Sequence, residues 1–239
     1  MNAYRQSPFS NLTPVVKNLL IINIIFFIAT YVLGHIFDME KWLAVYYFNS
    51  PHFRAWQVIS YMFMHGGIAH IFFNMFALFM FGPILEYSVG SKRFFNLYFI
   101  SGIGAIIIQM AVQAIQVHGI TGGFILSNPD LDSSYLQFGV NAQKLYEIYN
   151  TPVVGASGAI FGLLVAFGML YPNMEMMILF IPVPVKAKYI IPGYIAIELF
   201  SGVGQFSGDN VAHFAHLGGA LFGFIMVKFW HLNRPTNNF

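Results

Sequence analysis

The chain has 239 residues, of which 57% are hydrophobic and only 8% are charged, and its mean hydropathy is +0.66. Soluble domains carry about 25% charged residues, so this composition excludes an ordinary soluble enzyme and indicates a membrane protein. The net charge of +2 argues against nucleic acid as a partner, and the lack of cysteine excludes disulfides and thiolate chemistry.

Five long intervals of the chain contain no charged residue. They separate Lys17 from Asp38, Arg54 from Glu86, Arg93 from Asp130, Glu147 from Glu175, and Asp209 from Lys228. Each can hold the about 20 apolar residues that cross the hydrocarbon core of a bilayer. A sixth, weaker apolar segment runs from about Tyr189 to Val203 and carries Glu198. We therefore predict an all-α polytopic membrane protein with six transmembrane helices, at about 17–37, 57–82, 94–115, 153–171, 187–204 and 211–231.

The connections between these helices differ in charge. Eight Lys and Arg residues lie on the N-terminal side of the membrane, and three lie on the other side. The eight are Arg5, Lys17, Lys92, Arg93, Lys186, Lys188, Lys228 and Arg234. The three are Lys41, Arg54 and Lys144. The positive-inside rule then places both termini in the cytoplasm, and we expect a multi-pass protein of a bacterial inner membrane. The predicted organisation is a tail at 1–16, a six-helix membrane domain at 17–231 and a second tail at 232–239.

The second predicted span contains two polar residues at helical spacing. His70 and Asn74 are four residues apart, so they lie on one face of a helix, and both side chains can donate a hydrogen bond. Such a pair could form an oxyanion hole, or simply a polar seam that holds this helix against a neighbour. We expect His65, five residues before His70, to point elsewhere and to be structural.

Between the third and fourth spans lies a long connection at 116–152, which we predict to be an extracytoplasmic insertion. Its first half is rich in glycine, and its second half, from Ser134 to Asn150, interleaves apolar and polar residues. We predict an amphipathic interfacial helix there. Its apolar side chains should face lipid or protein, and these are Tyr135, Leu136, Phe138, Leu145, Tyr146 and Tyr149. Its charged side chains should face water, and these are Asp130, Asp132, Lys144 and Glu147.

A serine between glycines introduces the fourth span. In Gly155-Ala156-Ser157-Gly158, we expect Ser157 near the first turn of the helix, where free backbone N–H groups favour developing negative charge. It could be a nucleophile if a base lies nearby. It could equally be an N-cap, with the glycines allowing helices to pack closely.

The sixth span begins with a histidine followed by closely spaced small residues. Gly219 and Gly223 form a GxxxG pattern, and His213, His216 and Gly219 share one helical face. Close approach of a neighbouring helix would let the His216 imidazole reach a hydroxyl, although a packing role is an alternative. No carboxylate has the sequence spacing to orient His216, and we expect Glu198 to be buried and hydrogen-bonded without an assigned role.

Taken together, from about Trp56 to Phe229, these elements resemble the rhomboid family of intramembrane serine proteases. The resemblance implies Ser157 as nucleophile, His216 as base, His70 and Asn74 as oxyanion donors, and Phe161 as an aromatic side chain that packs on the base. It further implies structural roles for the glycines of the two motifs, which are Gly155, Gly158, Gly219 and Gly223. It implies a rhomboid-like helix bundle, no metal, no cofactor, and transmembrane segments of membrane proteins as substrates.

Two other functions compete with a protease. A transporter could use the histidines for protons or a metal, with His213 and His216 facing the same ion. A non-catalytic relative could bind membrane clients without cutting them. Because the chain retains both the serine and the histidine, we favour the protease.

Overall fold

The computed structural model describes residues 12–129, 132–178, 181–204 and 212–234. In chain order the helices are α1 (Pro14–Leu33), α2 (Met39–Leu43), α3 (Gln57–Ser60), α4 (Ile68–Val89), α5 (Ser91–Thr121), α6 (Ser133–Leu136), α7 (Ala142–Asn150), α8 (Ser157–Leu170), α9 (Ala187–Gly204) and α10 (His213–Phe229). Two 3₁₀ turns lie at Tyr61–Phe63 and Gly139–Asn141, and strands β1 (Glu175–Ile178) and β2 (Ile181–Lys186) form an antiparallel hairpin.

Among the described residues, three helices are long and apolar enough to cross a membrane. These are α1, α4 and α5, with mean hydropathies of 2.1, 1.9 and 1.8 over their most apolar windows. Helices α8 and α10 are apolar but shorter, and α9 contains Pro192 and Glu198. The structure is thus mostly helical with apolar spans, and the number of six crossings stays a prediction. The predicted all-α class is wrong at the hairpin of β1 and β2, where Pro182 and Pro184 disfavour a helix.

The second predicted span began too early. Helix α4 runs from Ile68 to Val89, whereas residues 57–67 form the short helix α3, a 3₁₀ turn and an irregular segment that ends at Gly67. A charge-free interval reports hydrophobicity, and it cannot by itself separate a helix from an apolar loop. At its other end α4 stops at Gly90, whose φ of +81° is left-handed and favours glycine.

Small residues let α5, α8 and α10 approach one another closely at the centre of the bundle. A methyl group added to Gly219 would overlap the backbone carbonyl of Gly158, and one added to Gly223 would overlap that of Gly162. The GxxxG pattern therefore acts as predicted, because it brings the backbones of α10 and α8 into contact.

Glu86 links α4, on which it lies, to the start of α1. Its carboxylate oxygens accept hydrogen bonds from the backbone N–H groups of Val15 at 3.0 Å and Val16 at 2.9 Å, in the first turn of α1. The Ser91 hydroxyl donates to the same carboxylate at 2.6 Å. A negative charge at a helix N-terminus satisfies N–H groups that lack a partner in the helix, so this contact fixes how α1 meets α4.

The connection between α5 and α8 is not the single interfacial helix that we predicted. It forms α6, a 3₁₀ turn and α7, and Gly139, with φ +55°, separates the helices. Of the six apolar residues predicted to share its apolar face, Tyr135, Leu145 and Tyr149 are buried, whereas Leu136 and Tyr146 are exposed. Asp130 lies outside the described residues.

This connection packs back onto the first loop of the chain. Its buried residues form a second hydrophobic cluster with Tyr47 and Val117. The side chain of Asn49 accepts hydrogen bonds from the Leu126 N–H at 2.8 Å and from the Tyr149 hydroxyl at 3.0 Å. The insertion is therefore anchored to the membrane domain rather than projecting from it.

Candidate active site

Ser157 is the first residue of α8, and its hydroxyl faces His216. The N-cap position belongs to Ala156, so the alternative that Ser157 is itself the N-cap is wrong. Ser157 Oγ lies 2.8 Å from Nε2 of His216, within hydrogen-bond distance. The two residues that sequence motifs singled out, 59 positions apart in the chain, thus meet in space.

An irregular segment before α8 presents the serine. Val153 pairs with Val45 through two backbone hydrogen bonds, of 3.0 and 2.8 Å, and the Gly155 N–H donates to the Tyr61 carbonyl at 3.0 Å. Gly155 has φ +121°, and a methyl group there would lie 2.7 Å from Nε2 of His70. Both the backbone conformation and the available space therefore require glycine at this position.

Phe161 lies one turn after Ser157 and stacks on the imidazole of His216. The ring centroids are 4.5 Å apart and the ring planes differ by 7°. Residues four apart share a helical face, which explains why the aromatic ring and the serine both meet the same histidine. The predicted packing contact is present.

His70 and Asn74, both on α4, line the same cavity as Ser157 and His216. Nδ1 of His70 accepts a hydrogen bond from the Gly66 N–H at 3.4 Å. This contact favours the tautomer in which Nε2, which faces Gly155, carries the proton. Nδ2 of Asn74 donates to the His70 carbonyl at 3.0 Å and has a second N–H to offer. Each side chain thus retains one donor for a ligand in the cavity.

We had expected His65 to point away from His70, but it does not. Its ring lies edge-to-face with that of His70, with centroids 5.2 Å apart, and the residue is buried. The expectation assumed helical spacing, but α4 begins only at Ile68, so His65 belongs to the irregular segment before the helix.

Glu198 is hydrogen-bonded, as expected, but sequence reasoning missed its contact with His216. One carboxylate oxygen, Oε2, lies 2.6 Å from Nδ1 of His213 and 2.9 Å from Nδ1 of His216. The argument that no carboxylate has the sequence spacing to orient His216 considered one helix only, whereas Glu198 contacts His216 from α9. The available signal was the charge itself, since an acidic residue in an apolar span is a functional candidate by default.

Glu198, His213 and His216 also offer the atoms that could hold a metal, since their ligand atoms all lie within 4.8 Å of one another. Tetrahedral zinc with bonds of about 2.0 Å would separate its ligands by roughly 3.3 Å. The observed separations of 2.6 and 2.9 Å between Oε2 and the two nitrogens are those of hydrogen bonds or ion pairs. The geometry thus fits a directly contacting cluster better than a metal centre.

The site opens into a cavity of about 940 Å³. Its walls come from the segment before α8 and from α4, α8, α9 and α10, and they are mostly apolar. The α4 wall includes Phe73, Phe76 and Phe81, and the α9 wall includes Ile190, Ile191 and Tyr194. Ligand pockets commonly measure 300–1,000 Å³, so this one has room for a short peptide segment.

Residues 52–232 match the Rhomboid domain. The chain belongs to the rhomboid family. It is 31% identical over 176 residues to Rhomboid protease AarA of Providencia stuartii, covering 70% of this chain and 53% of that protein. It is 31% identical over 182 residues to RHOMBOID-like protein 4 of Arabidopsis thaliana, covering 76% of this chain and 35% of the relative.

Rhomboid protein 1, mitochondrial, of Saccharomyces cerevisiae is 25% identical over 179 residues, or 75% of this chain and 42% of the relative. The chain thus spans about a third to a half of the length of these three rhomboid proteins. The family is membrane-embedded, and its members here are bacterial, mitochondrial and plant proteins. The bacterial inner membrane and the cytoplasmic termini stay predictions.

Proposed function

We propose that this rhomboid protein is an intramembrane serine endopeptidase that cleaves transmembrane segments of membrane proteins. The observation that carries the proposal is the 2.8 Å contact between Ser157 Oγ and His216 Nε2 inside an apolar helix bundle. A hydroxyl is a weak nucleophile unless a base accepts its proton, and this contact supplies that base. One relative that matches the chain is named a protease.

In the first half of the reaction, His216 acts through Nε2. It accepts the Ser157 proton while Oγ attacks the carbonyl carbon of the scissile peptide bond, which forms a tetrahedral oxyanion and an imidazolium. The stacked ring of Phe161 restricts rotation of the imidazole, and the short α10–α8 distance at Gly219 and Gly158 keeps the two side chains within reach.

Three donors from residues that line the cavity would stabilise the oxyanion. These are the remaining N–H of Asn74, the Nε2–H of His70 and the backbone N–H of Ser157, which belongs to the first turn of α8 and needs no intrahelical partner. Preorganised donors in a site shielded from bulk water stabilise the transition state more than the substrate.

The second half of the reaction reverses the proton transfer. His216 gives its proton to the leaving amine, and the peptide bond breaks to leave an acyl-enzyme on Ser157. His216 then takes a proton from a water molecule that attacks the ester carbonyl. It returns this proton to Ser157 Oγ as the ester bond breaks, which releases the new carboxyl terminus and regenerates the serine.

The walls of the cavity favour a membrane-embedded substrate. Phe72, Phe73 and Phe76 on α4 expose more than a third of their surface, and on α9 Tyr194 exposes 43%. Within a bilayer, such surfaces would face lipid, so an apolar substrate helix could approach the cavity between α4 and α9 without crossing a polar layer. We further propose that α1, α4, α5, α8, α9 and α10 are the six membrane-crossing helices, with both termini cytoplasmic.

The experiment that tests this function is labelling of the purified protein by a fluorophosphonate, which reacts with activated serines. We expect one label per molecule on the wild type, located at Ser157 by peptide mass spectrometry, and none on Ser157→Ala. A folded wild-type protein that does not label would support a client-binding or transporting protein instead.

A further inference from the structure

We propose that Glu198 is a positioning residue for the base, so that the catalytic unit is Ser157–His216–Glu198 rather than a pair. This inference rests on the proposed function. It begins from the contact of Glu198 Oε2 with Nδ1 of His216 at 2.9 Å, on the side of the imidazole opposite Ser157.

The tautomer of His216 calls for an acceptor at this position. To accept the serine proton, Nε2 must be unprotonated, and the neutral imidazole then carries its proton on Nδ1. Nδ1 is buried, and among the described residues no group makes a hydrogen bond of good geometry to it. Glu198 Oε2 is within ion-pair distance of Nδ1 but lies off the direction of its N–H bond. Catalytic hydrogen bonds are often poorly aligned without substrate and tighten when it binds.

The carboxylate is itself held in place. His213, one turn before His216 on α10, contacts the same oxygen through Nδ1 at 2.6 Å, within hydrogen-bond distance. The Glu198 side chain is only 14% exposed, so few water molecules can replace these contacts. When His216 becomes an imidazolium, the negative charge of Glu198, 2.9 Å away, attracts its positive charge in a poorly screened site. Glu198 thus favours both the reactive tautomer and the charged intermediate.

The same contacts allow a purely structural role, in which Glu198 only ties α9 to α10. The two roles differ in which histidine matters. A structural link between α9 and α10 would depend on His213, which makes the shorter contact with Glu198. Positioning of the base would depend on the Glu198–His216 pair.

The experiment compares Glu198→Gln, Glu198→Asp and His213→Gln in purified enzyme, with Glu40→Gln as the control for loss of an exposed carboxylate. For each we would measure kcat and KM with a transmembrane substrate, the rate of fluorophosphonate labelling, and the melting temperature. The first variant keeps the size of the side chain but loses its charge, and the second keeps the charge but withdraws it by one methylene.

We expect Glu198→Gln to lower kcat by at least about 10-fold, with little change in KM, and to slow labelling in parallel. Loss of the orienting carboxylate costs about 10⁴-fold in soluble serine proteases, which bounds the effect from above. Glu198→Asp should retain an intermediate kcat, His213→Gln should lose less than Glu198→Gln, and Glu40→Gln should match the wild type.

Three results would overturn the inference. They are a kcat within twofold of wild type in both Glu198 variants, equal losses in Glu198→Gln and His213→Gln, and loss of wild-type activity on adding a chelator with recovery on adding zinc. If Glu198→Gln does not fold, wild-type kinetics in Glu198→Asp would still reject the inference. Failure of the wild type to label would reject the protease itself, so the two failures are distinguishable.

Discussion

At the scale of single residues, Ser157 combines two properties. It is the first residue of α8, so its own N–H lies among the unpaired donors of the first turn, and its hydroxyl contacts His216 at 2.8 Å. One position can therefore supply both the nucleophile and a donor to the oxyanion.

Replacing Ser157 with alanine should abolish cleavage and leave the fold intact. In the proposed mechanism the hydroxyl is the nucleophile, and its loss removes one side-chain hydrogen bond, worth about 1 kcal/mol. His216→Ala should be equally inactive, because residues that act as a unit do not lose activity additively. Cleavage of a transmembrane substrate in detergent, together with melting temperatures, checks this prediction. More than trace cleavage by purified Ser157→Ala would show that another residue is the nucleophile.

His70 and Asn74 should affect kcat rather than KM, because their donors act on charge that develops only in the transition state. We expect Asn74→Ala to lower kcat by roughly 100-fold or somewhat less, and His70→Ala to have a milder effect, since the other donors remain. Steady-state kinetics of both single variants and of the double variant measure this. An unchanged kcat in all three would place the oxyanion hole elsewhere.

At the scale of helices, the distance between α10 and α8 sets how closely His216 can approach Ser157. A methyl group on Gly219 would overlap the Gly158 carbonyl, which is backbone and cannot move aside as a flexible side chain could. The glycines of the two motifs therefore act together, although they lie far apart in the sequence.

Gly219→Ala should lower both the melting temperature and the rate of fluorophosphonate labelling. Overpacking of a tight contact typically costs about 1–3 kcal/mol, and separating the helices moves His216 away from Ser157. Gly119→Ala on α5 is the matched control, because a methyl group there would have no neighbour within 4 Å. That variant should be as stable as the wild type or slightly more so. Equal behaviour of the two variants would contradict the close-packing argument.

The insertion before α8 offers a second test at this scale. Because Asn49 and the second hydrophobic cluster hold its two ends, we expect the insertion to steady the segment that leads to Ser157. Replacing 124–148 with a short Gly/Ser linker should therefore lower kcat by up to about 100-fold, since a displacement of about 1 Å can cost that much. Membrane insertion should be unaffected, because closing a loop costs little.

A control for this replacement is the pair Leu136→Ser and Val140→Ser, which changes residues that are 73% and 98% exposed and keeps the buried cluster. Its activity should match that of the wild type. Full activity after the linker replacement would identify the insertion as a spacer.

At the scale of the whole molecule, the site lies inside a helix bundle and is reached through an apolar cavity. A folded substrate helix has its carbonyl groups hydrogen-bonded within the helix, so it must unwind locally before Ser157 can attack one of them. Access and unwinding, rather than side-chain recognition alone, should then control which proteins are cut.

Substrates with helix-weakening residues near the cut should therefore be cleaved faster. Replacing a glycine or proline with leucine in the upper part of a cleaved transmembrane segment should slow cleavage, because leucine favours the helix by about 1 kcal/mol over glycine and about 3 over proline. Comparing kcat/KM for the two substrates checks this. Equal values would show that unwinding is not a requirement.

Much of this protein could be predicted from sequence because the signals are local. The charge-free intervals indicated apolar helices, and helical spacing placed His70 with Asn74 and Phe161 with Ser157 on shared faces. Helix ends were less predictable: α4 starts at Ile68 rather than near residue 57, and Gly139 divides the insertion. In such segments hydrophobicity is uniform, so backbone conformation decides the boundary.

By itself the sequence determined that the chain is a membrane protein, which family it resembles, and which serine and histidine to examine. Only the tertiary structure decided that Ser157 and His216 lie 2.8 Å apart, that His65 packs on His70, and that Glu198 reaches His216 from another helix. The reason is physical. Periodicity fixes which residues share a face of one helix, whereas contacts between helices depend on their rotation and separation, which are set by close packing at small residues spread over the whole chain.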